Sequence, residues 1–259
     1  MQGSAARATD DWDSHWKRYS ATNKLNPAQV YRIKLIFELL ALGDARGPVR
    51  VLDLGSGSGE LASQVLSARP DAEVVGLDLA QSGVEIARSK VPGATFFQQD
   101  FTQPMKLPEG YRGWATHAVC SEVLEHLDDP RAMLENVRPY LAAGCKLVIT
   151  VPAGPMSAFD KHIGHRRHFT PALLEETLRG AGYDVPDVRG AGFPFFNLYR
   201  LTVVARGKKL IDDAAGDGAT SLPLVARATI RAFSLLFKMN ADTTRLGWQL
   251  AAVAVARAS

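Results

Sequence analysis

The sequence predicts an α/β fold, a doubly wound and mostly parallel sheet with a helical cap before it and a helical insertion ahead of its last strand. Three observations carry this expectation. Short β-branched runs alternate with amphipathic helical stretches between residues 49 and 151, which calls for right-handed crossovers and a sheet covered on both faces. A glycine-rich turn stands where the first of these strands would enter the first crossover helix. The 259 residues are 46% apolar and 22% charged, enough for one large domain with a substantial core. Disordered, collagen-like and coiled-coil architectures are excluded by that balance.

Along the chain, residues 1–45 read as an N-terminal cap. After a small, polar start, residues 11–42 are helical in pattern, with an entry signal at Asn26-Pro27 and apolar positions at Val30, Ile33, Leu35, Ile36, Leu39 and Leu40. Residues 46–192 form the core region. Its strand candidates are Val49–Leu54, Glu73–Asp78, Thr95–Gln98, Thr116–Cys120 and Lys146–Val151, separated by helical patterns at Glu60–Ala68, Ser82–Ser89 and Arg131–Leu141. Thr170-Pro171 then starts another helix, which ends at Gly180-Ala-Gly182. Residues 193–240 fit no simple crossover and read as a helical insertion. Within it, Leu222–Met239 is predicted to be buried over most of its circumference, because Arg227, Arg231, Ser234 and Lys238 share a wedge roughly 60° wide. Residues 241–259 return to the core; Gly247–Arg257 is read as a strand from its valines and alternation, against the helical preference of its alanines.

Several function classes fall away on composition. A net charge of +3 and the lack of a basic stripe argue against a nucleic-acid partner. The two cysteines, Cys120 and Cys145, lie in apolar runs and read as reduced core thiols. No run reaches the ~18 apolar residues of a membrane span, and the N-terminal stretch has no signal-peptide core, so the expected location is cytoplasmic.

The chemistry begins at Asp53-Leu54-Gly55-Ser56-Gly57-Ser58-Gly59. Glycines let the backbone turn sharply and approach a ligand closely. Asp78 ends the next strand, where a carboxylate can accept hydrogen bonds from ribose hydroxyls. A dinucleotide would place its pyrophosphate over this turn, and both Asp53 and Glu60, which replaces the third glycine of Gly-x-Gly-x-x-Gly, would oppose it. A ligand with a sulfonium and an ammonium, and no phosphate, tolerates both acids; S-adenosyl-L-methionine is such a ligand. The plain alternative is that Asp53 and Glu60 are merely solvated or capping groups.

On these residues the chain resembles the class I S-adenosylmethionine-dependent methyltransferases, from about Val49 to Val185. The glycine turn is similar to the family's first motif and Val74–Asp78 to its second. Phe97-Gln98-Gln99-Asp100-Phe101 resembles the segment that meets adenine, and Cys120–Leu127 the segment beneath the methionyl arm. The resemblance implies a seven-stranded Rossmann-like sheet. It also implies cofactor contacts from Asp53, Gly55, Ser56, Gly57, Gly59, Asp78, Leu79, Asp100, Phe101 and Ser121. Phe101 reads equally well as a core aromatic.

Glu122, Glu125 and His126 have the spacing Glu-x-x-Glu-His, which a helical turn would gather onto one face. With a histidine from the loop at 160–170 they could hold a divalent ion: magnesium if oxygen ligands dominate, manganese, iron or zinc if imidazoles do. The element is similar to one in ubiquinone-pathway and small-RNA O-methyltransferases, which implies His165 as the loop ligand, with His168 in reserve. The competing reading is a helix start packed on the sheet beside a solvated basic loop. For a hydroxyl acceptor, His165 is the candidate base, with Glu122 and His126 as catalytic companions.

Acceptor contacts are expected from two places. Trp12, His15, Trp16 and Tyr19 recur at helical spacing in a polar stretch, so they bury a face and either line a pocket or staple the segment down. His162 and Arg166 could bind an anionic group, or simply be solvated. The insertion would serve as a lid, a homodimer element or a peripheral membrane contact. The expected activity is methyl transfer to a small-molecule hydroxyl, with a lipophilic acceptor open. The rivals are non-methylating chemistry on the same cofactor, an NAD-dependent oxidoreductase, and a silent binding protein.

Overall fold

The computed structural model describes residues 12–13, 26–205 and 224–257. Helix α1 spans Pro27–Leu40, its entry fixed by the Asn26 side chain, which accepts from the Ala28 N–H at 3.0 Å. The core then runs β1 (Arg50–Leu54), α2 (Glu60–Ala68), β2 (Glu73–Asp78), α3 (Gln81–Lys90), β3 (Thr95–Gln98), β4 (Ala115–Ser121), α4 (Pro130–Val137) and β5 (Leu141–Pro152). After it come α5 (Ala158–His162), α6 (Pro171–Gly180), β6 (Tyr183–Ala191), α7 (Phe195–Ala205), α8 (Leu224–Leu236) and β7 (Gln249–Ala256).

These strands form one seven-stranded sheet in the order β3-β2-β1-β4-β5-β7-β6. The pairings among β1 to β5 are parallel, and β7 inserts antiparallel between β5 and β6. The chain order reverses between β1 and β4, so a crevice opens above their C-terminal ends, where ligands of doubly wound sheets bind. The period-2 alternation sorts the core by face. Leu52, Leu54, Leu77, Ala118 and Ile149 pack with Met133, Leu134, Leu174 and Leu178 on one side. Val51, Val74, Val119 and Val148 pack with Ile36, Leu40, Ala62, Val65 and Val84 on the other.

Four expectations need correction. The helix expected at Arg131–Leu141 stops at Val137, because Pro139 has no N–H to donate; a short 3₁₀ turn follows, and Leu141 already opens β5. The strand β6 was not anticipated: Pro186 and a register shift between Asp184 and Asp187 interrupt its alternation, as an edge position allows. The segment after β4 is not one helical turn, since only Leu124–His126 is 3₁₀ and Glu122 is left-handed at φ 56°. Of the Leu222–Met239 prediction, residues 222–223 lie outside the described residues, and residues 229–239, the described part of α8 and the turn after it, are far less buried than the sequence suggested. Helix α8 meets the body through Phe233, which packs on Tyr199 and Phe237, while Leu235 and Met239 are 63% and 69% exposed.

Gly247–Arg257 is a strand, as its alternation proposed; its alanines pass tightly between β5 and β6. Both cysteines are free and buried. Among the described residues no helix is long and apolar enough to cross a membrane.

Candidate active site

The crevice is built first from backbone. Gly55, Gly57 and Gly59 all have positive φ, and the Gly55 and Ser56 N–H groups both donate to the Leu77 carbonyl at 2.8 Å. A side chain at Gly55 would meet Val123 Cγ2 at 2.4 Å, so the turn and the segment after β4 lie in direct contact. Asp78 accepts from the Gly57 N–H at 2.8 Å through one carboxylate oxygen and from the Ala80 N–H at 2.9 Å through the other. A carboxylate has about four acceptor positions, so capacity for ribose hydroxyls remains.

Around that turn stand the carboxyl groups of Asp53 and Asp78, while Glu60, expected to add charge, is paired with Lys90. Asp53 is 3% exposed, one of its oxygens has no partner, and burial, then Asp78, pushes its carboxyl up to about 7. The Ser56 hydroxyl is likewise buried without a partner. Leu79 is 43% exposed beside Asp78, an apolar surface ready to be covered. Asp100 accepts from the Thr102 N–H and hydroxyl at 2.8 and 2.7 Å, Ser121 bonds Thr150 at 2.8 Å, and Phe101 packs within the main core. These donors and acceptors fit an adenosyl sulfonium compound: a glycine turn beside a buried carboxyl, with an Asp78 carboxylate one strand away that has acceptor positions to spare for ribose hydroxyls.

A second group of side chains stands at the ends of β4 and β5. Glu125 is fully buried, neither carboxylate oxygen has a hydrogen-bond partner, and burial, then Glu122, holds its carboxyl well above the usual range. The His126 ring lies 4.8 Å from Trp12 and edge-on to Trp12, while His165 stands 4.7 Å from His126. His165 Nδ1 is 3.3 Å from His168 Nε2, and His168 Nδ1 is 3.0 Å from the Gly154 carbonyl. Burial pushes His126 down to about 3 and His165 down to about 4, so both rings stay neutral near pH 7.

The loop that delivers His165 is fastened by backbone. The Arg166 N–H donates to the Glu125 carbonyl at 2.7 Å, the Arg167 guanidinium to the Asp128 carbonyl at 2.7 Å, and the His165 N–H to the Asp160 carbonyl at 3.0 Å. Asp160 is itself 1% exposed and held by Arg200 at 3.0 Å and by the Ser157 cap.

The residues anticipated from sequence therefore divide. Glu125, His126 and His165 come together, with one donor atom from each lying within 4.8 Å of the others. Glu122 points elsewhere, accepting from Gln249 Nε2 at 2.9 Å and facing Arg32 at 3.7 Å. Arg166 braces the loop through the Gly164 carbonyl and Asp128, and His162 is exposed at the end of α5. Trp16 and Tyr19, with His15, lie outside the described residues. Arg32, Gln249, Asp160 and Arg200 were missed; each belongs to an ordinary-looking helix or strand, and only the fold carries it to the crevice.

The chain is similar in sequence and fold to known proteins. Residues 26–188 match the family described as methyltransferase domain. The O-methyltransferase cnsE of Penicillium expansum is 32% identical over 209 residues, 73% of this chain and 72% of that protein. The ubiquinone biosynthesis O-methyltransferase of Xanthomonas euvesicatoria pv. vesicatoria is 28% identical over 215 residues, 76% of this chain and 86% of that protein. Among solved structures, a Haemonchus contortus phosphoethanolamine N-methyltransferase bound to S-adenosylhomocysteine shares the fold with a TM-score of 0.61 at 17% identity, over 97% of this chain and 59% of its own. A Haloferax volcanii methyltransferase, seen with its Trm112 activator, does so at 0.60 and 18% identity, over 97% and 100%. With this family match and the 32% identical relative in hand, the chain belongs to the S-adenosylmethionine-dependent methyltransferases.

Proposed function

We propose that this enzyme methylates a hydroxyl of a small, lipophilic acceptor. The observation that carries the reading is the neutral, buried His165, backed by His168 at 3.3 Å, on the β4–β5 side of the crevice away from Asp78. S-adenosylmethionine supplies an already activated methyl group, so the protein contributes orientation, water exclusion and a place for the acceptor's proton. His165 takes that proton, and His168, anchored by the Gly154 carbonyl, fixes the orientation of the ring.

The preference for an apolar acceptor rests on the groove beyond His168. The indole of Trp248 covers Gly154, at 2.6 Å from where a side chain would begin, and Trp248 is one wall of a cavity of about 410 Å³. Phe193, Pro194, Phe195, Leu198 and Leu201 line the rest, with Asn197. Residues 193–201 form on this reading the acceptor-side wall. The similarity to ubiquinone and fungal O-methyltransferases supports transfer to oxygen.

A divalent cation also fits the donors present. Glu125 offers two unpartnered carboxylate oxygens, His126 a buried Nδ1 without a partner, and His165 a neutral ring. Such an ion would lower the acceptor hydroxyl's pKa and, with His165 as its ligand, would replace His165 as the aid to deprotonation.

The test is His165→Gln and His165→Ala, assayed for S-adenosylhomocysteine release with phenolic acceptors. Loss of turnover with unchanged cofactor affinity supports the assignment; full turnover removes His165 from the chemistry.

A further inference from the structure

The exposed apolar surface is gathered in one region of the molecule. Seven of the nine large apolar side chains that stand exposed among the described residues belong to α1, α7, α8 and the short segments beside them; the other two are Leu79 and Leu173. Met239, Leu235, Leu246 and Val30 lead the group, each more than half exposed. Contacts join them into a continuous face. Val30 and Lys238 line one cleft between α1 and the end of α8. Two residues after Met239, the Ala241 N–H donates to the Phe193 carbonyl at 2.7 Å, and the Asn197 side chain donates to the Leu246 carbonyl at 2.7 Å. Bare apolar surface of this extent is unfavourable in water and marks a place that meets a partner.

The charges on the face narrow the choice of partner. Lys34, Arg231, Lys238 and Arg245 are exposed there, and among the described residues Arg231, Lys238 and Arg245 pair with no carboxylate. The acids beside them are already engaged, Glu38 by Lys34 at 3.3 Å and Asp242 by the Tyr31 hydroxyl. On α8 and the turn after it, Phe233 and Phe237 face the body, while Arg231, Leu235 and Met239 follow one another at four-residue steps on the outward side. A second copy of the chain is a poor fit, because a two-fold contact brings the same unneutralised cations together. We infer that this face docks on an anionic bilayer surface, with Leu235 and Met239 entering the acyl boundary and Arg231, Lys238 and Arg245 meeting lipid phosphates. The groove of Leu198, Leu201 and Trp248 borders the same face, so a lipophilic acceptor would reach it from the lipid. That last step rests on the proposed activity; the docking does not.

Co-sedimentation of the full chain with vesicles tests the docking without any turnover. The wild-type chain should bind vesicles of equal parts phosphatidylcholine and phosphatidylglycerol, bind pure phosphatidylcholine about tenfold more weakly or worse, and let go as salt rises. Leu235→Ser with Met239→Ser should weaken binding to the mixed vesicles by about tenfold, and Arg231→Glu with Lys238→Glu by at least about as much. All four side chains are exposed, so both variants should keep the wild-type Tm. Leu173→Ser, an exposed apolar position elsewhere, should bind as wild type does. A wild-type chain that ignores the mixed vesicles at low salt overturns the inference, as does equal binding by wild type and both double variants. So does a dimer, seen by light scattering, that Leu235→Ser with Met239→Ser dissociates. Vesicle binding by a chain that turns over no phenol keeps the docking and removes the acceptor reading alone.

Discussion

The two halves of the crevice are made in different ways. Above β1 and β2 the ligand surface is mostly backbone: three positive-φ glycines, a shared carbonyl at Leu77, and one carboxylate that bonds Gly57 and Ala80. Above β4 and β5 it is mostly side chain, gathered from α1, the turn after β4, the loop before α6, α7 and the start of β7. A backbone site constrains which residues can build it, because few residues take those dihedrals. A side-chain site can be rearranged without disturbing the sheet.

This division can be broken by mutation. The largest effect is expected at His165: the alanine variant should lose ~10²–10⁴-fold in kcat, the usual contribution of a positioned base, while calorimetry records wild-type affinity for S-adenosylhomocysteine. Equal loss of both would mean the halves are one cooperative unit. Asp78→Ala is the mirror experiment. It should weaken cofactor binding by roughly 1.5–3 kcal/mol through lost hydrogen bonds to a charged group, with the KM for the acceptor unchanged.

A smaller, pH-dependent effect belongs to Asp53. Its folded carboxyl is raised to about 7, whereas the unfolded chain titrates near 3.9, so between those values the folded state holds a proton that the unfolded state has released. Stability therefore falls as pH rises from about 4 to about 7. Asp53→Asn should raise Tm relative to wild type at pH 8 and leave it unchanged near pH 4; an equal shift at both would show that Asp53 is not buried as a neutral acid. The smallest effect is expected in the groove. Leu198→Ser with Leu201→Ser should weaken a long-chain phenol by about fivefold, the worth of a little apolar surface, and spare a short one.

The same contrast explains what the sequence revealed. The cofactor half was legible because its determinants are local: Gly55–Gly59 follows a strand, and Asp78 ends the next one. On the β4–β5 side, Glu125, His126 and His165 were grouped by their residue types, and the structure brings them together. Glu122 is not among them, because its left-handed backbone breaks the helical spacing that would have grouped it with Glu125. Arg32 sits on an amphipathic helix and Gln249 at the head of an alanine-rich strand, and neither context signals a site. The edge strand β6 was lost to Pro186, and the exposure of α8 to an apolar composition that the single chain leaves partly uncovered.

The account turns on which atom receives the methyl group. Methyl-labelled S-adenosylmethionine, offered with apolar aromatic acceptors matched except for a hydroxyl, an amine or a thiol, reads this directly. Label on oxygen, with one S-adenosylhomocysteine released per transfer, is the predicted result. Label on nitrogen or sulfur with the hydroxyl compound silent, or release of methylthioadenosine, would contradict it.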